Sequence, residues 1–276
     1  VIDSERLGLL VTADANAPVG PGAGDAAWDD DADDGIVRID GLTPGGSCTI
    51  VVRASNPSGA FIDRISGWID FDGDGTWDEA GEAFAPLALP VGSVPVLATL
   101  GPLAVPASAA SLLRTRLKLS FGTTGAQAAG MGFTFGEVED YLLPPSAGAG
   151  CDTTGGPPPA IWAEDPPRAG LPFTWKAAGL APGVEAFMGL DVISLLPGGI
   201  DASVFAPAAI PPATCFLYVG LGGILAGIGF PDASGDLAVT VPVPSGISGA
   251  TVFLQDFQVS LPFAISMTPV LPLTVL

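Results

Sequence analysis

The chain alternates between short apolar or period-2 stretches and clusters of Gly, Pro, Asn and Asp. Residues 1–13, VIDSERLGLLVTA, set Leu7, Leu9 and Val11 against Gly8, Leu10 and Thr12, a periodicity that predicts a strand. IVRIDGL, CTIVVRAS, RISGWIDF, PVLATLGPLAV and LLRTRLKLSF follow, each short and bounded by turn residues. Such spacing predicts an antiparallel sandwich or jelly roll. The alternation is cleanest in LLRTRLKLSF, where Leu113, Thr115, Leu117 and Leu119 face one way and Arg114, Arg116 and Lys118 the other. In an acidic chain that basic face is expected to lie beside carboxylates.

Residues 144–160, PPSAGAGCDTTGGPPPA, break this pattern and read as an inter-domain linker. Beyond them FTWKAAG, VEAFMGLDVIS, TCFLYVGLG, LAVTVPVP, ATVFLQDFQV and FAISMTPVLPLTVL are again short strand patterns, which predict a second, Ig-like sandwich over 161–276. The expected fold is therefore all-β with two β-sandwich domains. Residues 1–19 form an extra strand and loop, 20–143 a jelly-roll-like domain, 144–160 the linker and 161–276 the Ig-like domain. In the second domain Gln255 stands among apolar neighbours and is expected to be a buried amide satisfied by backbone.

Composition narrows the chemistry. The 276 residues include 38 Gly and 28 Pro, which leaves little room for helices, while 48% hydrophobic residues supply ample core. The formal charge of -20 repels phosphate backbones and anionic lipid surfaces, so nucleic acid is not an expected partner. Residues 1–143 hold 7 basic and 20 acidic side chains, so the acidity concentrates there. The chain has no histidine, which removes Ser-His-Asp and Cys-His nucleophile systems and imidazole-ligated metals. Cys48, Cys151 and Cys215 have no CxxC spacing and allow one disulfide at most: in an oxidising compartment the expected bridge is Cys151 with Cys215, with Cys48 inside a strand, and the alternative is that all three are buried free thiols. No apolar run reaches the roughly 20 residues a membrane helix needs. A start at Val1 is what a mature, secreted product would show, so the expected location is extracellular or on a bacterial cell surface.

The most specific local signal is WIDFDGDGTWDEAGE, with Asp70, Asp72 and Asp74 at alternate positions, Gly75 next, and Asp78, Glu79 and Glu82 following. Calcium takes six to eight oxygens in a tight loop, and D-x-D-x-D-G offers three carboxylates with a glycine for the turn. The loop departs from an EF-hand at its twelfth position, which is Gly81, and in its strand-like flanks. Asp78 or Glu82 would have to complete the site. The predicted metal residues are Asp70, Asp72, Asp74, Asp78 and Glu82, with calcium as the ion. A second acidic run, Asp25 to Asp34, holds six aspartates in ten residues and needs solvent or a cation.

Four blocks, DDADDGI at 30–36, GWIDFDGDGTWDEAGE at 67–82, RTRLKLSF at 114–121 and Gly136-Glu137-Val138-Glu139-Asp140-Tyr141, resemble the GEVED domain in order and spacing. The resemblance covers about residues 20–143. It implies a β-sandwich used as an extracellular building or adhesion module, with cation-binding acidic loops and no catalytic activity. On the residues themselves, three carboxylates within Glu137–Asp140 repel one another unless neutralised. Glu137 or Glu139 is expected to pair with Arg114 or Arg116, and Tyr141 to cap the core edge. The second half resembles more loosely the C-terminal β-domains of secreted planctomycete and myxobacterial proteins, which imply no chemistry.

Acids grouped at calcium-like spacing do not suggest the separated pair a glycosidase uses. The expected function is a non-enzymatic structural protein, a calcium-stabilised subunit of an extracellular filament or surface layer. Residues 1–13 precede the GEVED-like part without an obvious partner inside it. They would join copies of the chain by strand addition, with FAISMTPVLPLTVL as the less favoured donor; the alternative is that each terminal segment is an edge strand of its own domain. The alternative is a calcium-dependent carbohydrate-binding or adhesion module in which Trp28, Trp68, Trp77, Trp162 or Trp175 stacks on a polysaccharide.

Overall fold

Strand propensity and turn chemistry divide the chain as the pattern predicts, into antiparallel strands joined by Gly- and Asp-containing turns. The computed structural model describes residues 6–8, 34–57, 62–77, 81–120, 136–148, 150–191, 200–201, 216–217, 224–260 and 264–276. Among them there is no helix. Two units are present, Val1–Leu143 and Pro144–Leu276.

In the front unit one sheet holds β1 (Arg6–Leu7), β2 (Ile36–Asp40), β3 (Ser47–Asn56) and β6 (Gly92–Ala104). The other holds β5 (Leu87–Leu89), β4 (Asp63–Asp70), β7 (Leu113–Ser120) and β8 (Gly136–Leu143), in that order across the sheet. β6 follows β3 from Ser47↔Ala104 to Asn56↔Gly92 along one edge. β2 and then β1 pair with successive stretches of β3, which places them along its other edge. The core lies between the sheets, where Ile50 and Val52 of β3, Ile65 and Ile69 of β4, and Leu117 and Leu119 of β7 are fully buried. Gly67 lets the layers close, because a Cβ there would stand only 3.1–3.2 Å from side-chain carbons of Leu100, Phe84 and Leu117.

One expectation changes here. The N-terminal strand has a partner in its own domain: Arg6 and Leu7 pair with Ser55 and Ala54 of β3, and Leu7 is fully buried. The rest of the 1–13 stretch, apart from Gly8, lies outside the described residues. The basic face of β7 lies beside carboxylates as expected, with Arg116 on Asp140 and Arg114 near Asp70, and on it Arg116 and Lys118 are each only 1% exposed. Burial lowers the pKa of Lys118, and the nearby Arg116 charge adds to that.

The second unit contains β9 (Cys151–Asp152), β10 (Ala160–Trp162), β11 (Pro172–Ala178), β12 (Ala186–Asp191), β13 (Ile200–Asp201), β14 (Phe216–Leu217) and β15 (Ile224–Gly229). It continues with β16 (Leu237–Pro242), β17 (Thr251–Ser260), β18 (Ala264–Met267) and β19 (Leu271–Thr274). A three-stranded sheet runs β10-β11-β16, and a six-stranded sheet runs β15-β12-β17-β18-β9 with β19 also on β17; β13 and β14 pair separately. The fold is a sandwich: Ile161, Phe173 and Trp175 of the smaller sheet share one core with Met188, Leu254, Leu271 and Leu273 of the larger.

The stretch 144–160 is more than a connector. Ala147 bridges Val270, and β9 extends the larger sheet through Asp152↔Ser266 and Cys151↔Met267. Its Pro/Gly-rich composition hides this because, among its described residues, only Cys151, Asp152 and Ala160 are in strands. Gln255 is fully buried, with its Nε2 donating to the carbonyl of Thr268 at 2.9 Å. Cys151 is disulfide-bonded, and Cys215 lies outside the described residues. Cys48 is free and buried in β3, and burial pushes its thiol up to about 12, with the Asp40 charge assisting. A thiol held that high is not a nucleophile at neutral pH.

Candidate metal centre

The acidic loop begins where β4 runs out. Asp70, the last residue of that strand, is fully buried, and its two oxygens accept the backbone N–H groups of Gly73 at 2.7 Å and Gly75 at 3.1 Å. Asp72 accepts from the N–H of Asp74 at 3.0 Å, and Asp74 from that of Thr76 at 2.7 Å. These Asx turns wind the chain back on itself. The winding requires left-handed backbone at Gly73 (φ 76°) and Gly75 (φ 87°), which glycine adopts without strain.

The consequence is convergence. One carboxylate oxygen from each of Asp70, Asp72 and Asp74 lies within 4.8 Å of the others, the first buried and the other two exposed. At that distance each like-charged pair costs about 1 kcal/mol even in water. The nearest positive charge is a weak offset: Arg114 Nη1 stands 3.7 Å from the Asp70 carboxylate and is partly in solvent. A divalent cation would neutralise all three at once, and a hard ion with oxygen ligands is what this donor set suits.

Among the described residues the group does not include Glu82. Glu82 is buried and ties the neck of the loop: its backbone carbonyl accepts from the N–H of Ile69 and its Oε1 from that of Phe71, both at 2.9 Å. Asp78 lies outside the described residues. So does the 25–34 acidic run, except Asp34.

The far side of the loop is anchored by Trp77. Its ring lies over Arg116, with the guanidinium carbon 4.4 Å from the ring centroid, and its Nε1 points to the carbonyl of Arg114 at 3.5 Å. Arg116 is gripped in turn by Asp140, through Nε at 2.6 Å and a still shorter contact from Nη2. Fork-to-fork geometry of this kind fixes orientation as well as charge.

The acid that Arg116 meets is therefore Asp140 of β8, and not Glu137 or Glu139 as expected. Register explains the difference. β7 and β8 pair Arg116 with Asp140 and Leu117 with Glu139. Side chains alternate across a strand, so Glu137 and Glu139 share the face of the leucines. There they perform other tasks. Glu137 accepts the backbone N–H of Leu7 in a short contact, fixing β1. Glu139 accepts from the Tyr141 hydroxyl at 2.8 Å, and that hydroxyl accepts the N–H groups of Gly35 at 3.1 Å and Ile36 at 3.3 Å, fixing the start of β2. Tyr141 is only 1% exposed, so it is an interior anchor instead of an edge cap.

One hexapeptide thus holds three separate elements: β1 through Glu137, β2 through Glu139 and Tyr141, and the aspartate loop through Asp140, Arg116 and Trp77. Tyr141→Phe should cost about 2–3 kcal/mol in urea denaturation, because it removes a hydrogen bond to a buried carboxylate and strands buried N–H groups. A change below about 0.5 kcal/mol would show that the hydroxyl is not an anchor.

Trp68, Trp77, Trp162 and Trp175 are all buried, so none of them offers an open face to a sugar ring; Trp28 lies outside the described residues. Asp256, which the sequence pattern does not single out, is fully buried in β17. The signal available was an aspartate at even spacing from Val252 and Leu254 in an apolar strand.

Residues 64–144 match the GEVED domain family. No curated protein matches the chain. Among solved structures it is similar to a transglutaminase of red sea bream (11% identity, 85% of this chain, 30% of that one, TM-score 0.24). It is similar also to a Ca2+-stabilised adhesin with which an Antarctic bacterium binds ice (10% identity, 82% and 44%, TM-score 0.25). A third is the alpha-2-macroglobulin of Salmonella (11% identity, 86% and 16%, TM-score 0.26). The chain spans less than half of each of these proteins.

Proposed function

We propose that this GEVED-domain chain is a non-enzymatic extracellular module with a structural or adhesive role, its front unit stiffened by calcium held at Asp70, Asp72 and Asp74. The observation that carries the reading is the convergence of three carboxylates on a loop whose neck and far side are both fixed to the sheet. Preorganisation of this kind means that little chain entropy is lost when an ion binds. The conspicuous polar residues of the family match are occupied in holding elements together, which supports a building role over a reaction centre.

Assembly by donation of the N-terminal strand would require β1 to leave β3 and Leu7 to leave the core. The reading therefore rests on a self-complemented module, and strand exchange between copies would be a swap of the same pairing. Burial of the described tryptophans favours a structural role over sugar stacking.

The test is calcium titration by calorimetry, paired with thermal melting in calcium and in chelator. At a calcium concentration one hundred times its Kd, binding should add about 2.7 kcal/mol to the front unit, read as a rise of several degrees in its melting temperature. Asp72→Asn with Asp74→Asn should abolish both the heat of binding and the rise. Identical melting in calcium and chelator ends this reading.

A further inference from the structure

The second unit contains an ionisable group that the calcium reading does not use. Asp256 sits in β17 opposite Met188 of β12, in the layer that holds the unit's core. It is fully buried. Its Oδ2 accepts one hydrogen bond, from the indole Nε1 of Trp175 at 3.0 Å, and its Oδ1 has no partner. Thr268 engages only its backbone, accepting from the Asp256 N–H at 2.9 Å and donating to its carbonyl at 3.2 Å.

No described side chain packed around this carboxyl carries a charge. β11 brings Trp175, β12 brings Met188, β17 itself brings Leu254 and Gln258, and the turn after β18 brings Thr268. Gln258 is occupied with the backbone of Ala181 and Val184. Lys176, next to Trp175, alternates to the other face of β11 and pairs there with Glu164. A carboxylate in this position would have one neutral donor and no counter-ion, which is far less than a buried charge requires.

We propose that Asp256 is a protonation switch built into the second unit, which closes around the neutral carboxylic acid and loosens when that acid ionises. Burial pushes its pKa up to about 7, with the Trp175 hydrogen bond opposing only in part. The sign follows. Below the ordinary aspartate value of 3.8 the acid is protonated in both folded and unfolded chains and contributes no pH dependence. Between 3.8 and about 7 the unfolded chain ionises while the folded one keeps its proton, so the folded state loses ground as pH rises. Above about 7 both are ionised and the loss is complete.

The test compares the full chain with its Asp256→Asn variant in urea between pH 4 and 9, reading the transition of the second unit. Asparagine is neutral throughout, so the ratio between the two proteins isolates this group from the other acids. The advantage of the variant in folded-to-unfolded ratio should grow roughly tenfold per pH unit, reach about a thousandfold near pH 7 and then level off. Parallel profiles would overturn the proposal. Should the variant fail to fold, the wild-type chain provides its own readout: an infrared carbonyl band of a protonated acid should persist at pH 6 and vanish reversibly by pH 8.5. Trp175→Phe, which removes the one donor to the carboxylate, should move that midpoint to higher pH. A band absent at pH 6, or a midpoint that Trp175→Phe leaves unmoved, refutes the switch.

Discussion

Asp140→Ala is expected to destabilise the front unit by about 3–5 kcal/mol, the cost of leaving a buried guanidinium without its fork partner. The size follows from burial: the Arg116 side chain is 1% exposed and that of Asp140 9%, so water cannot substitute for the lost carboxylate. An exposed pair would be worth under about 1 kcal/mol. The loss should be largely recovered by replacing both partners with apolar residues of similar shape, as in Arg116→Met with Asp140→Leu, because a packed apolar pair carries no desolvation penalty. Urea denaturation of the single and double variants measures this directly. A single-variant cost below about 1 kcal/mol would mean that the pair is not an interior support. Because Arg116 also carries the Trp77 ring, Asp140→Ala should, on the proposed calcium reading, weaken calcium binding as well as the fold.

The second large effect concerns Gly136, the first residue of β8. Its φ of 138° is a conformation almost confined to glycine, and a β-carbon there would stand 1.9 Å from the carbonyl oxygen of Leu119 on the neighbouring strand. The backbone strain alone costs about 1–3 kcal/mol for another residue. The collision is with backbone, which no rotamer change relieves, so Gly136→Ala should exceed about 3 kcal/mol, the top of that range. Gly92→Ala is the matched control, since a β-carbon at Gly92 meets nothing within 4 Å. It should change stability by less than about 0.5 kcal/mol. Equal effects at the two sites would show that the contact with Leu119 does not set the requirement for glycine.

What could be read from the chain was what is local. The aspartate loop is legible because its bonds run two to five residues along the sequence, from Asp70 to Gly73 and Gly75 and from Asp72 to Asp74. The alternation of β7 is legible because a strand has period two. Which acid meets Arg116 is a different matter, since it depends on the register between β7 and β8. A slip of one residue exchanges Asp140 for Glu139 and reverses the face. Trp77 looks like an exposed aromatic between Thr76 and Asp78, and only a long-range contact places it over Arg116. β1 and β9 are two-residue strands in unpromising surroundings, and their partners lie about 50 and 115 residues away in β3 and β18. Asp256 is not legible from the sequence because alternation puts it on the opposite face from Gln255, and nothing local shows that both faces of β17 are buried at that point.

The attachment of β1 to β8 by Glu137 gives the front unit a mechanical character. The segment near its N-terminus and the strand that leads into the second unit are neighbours, tied by the contact between Leu7 and Glu137. Tension applied along the polypeptide would load the pairing of β1 with β3 and its tie to β8 together. A module wired in this way should resist pulling up to a threshold and then yield abruptly, as a fuse does, with its aspartate loop still seated on the sheet beneath Trp77.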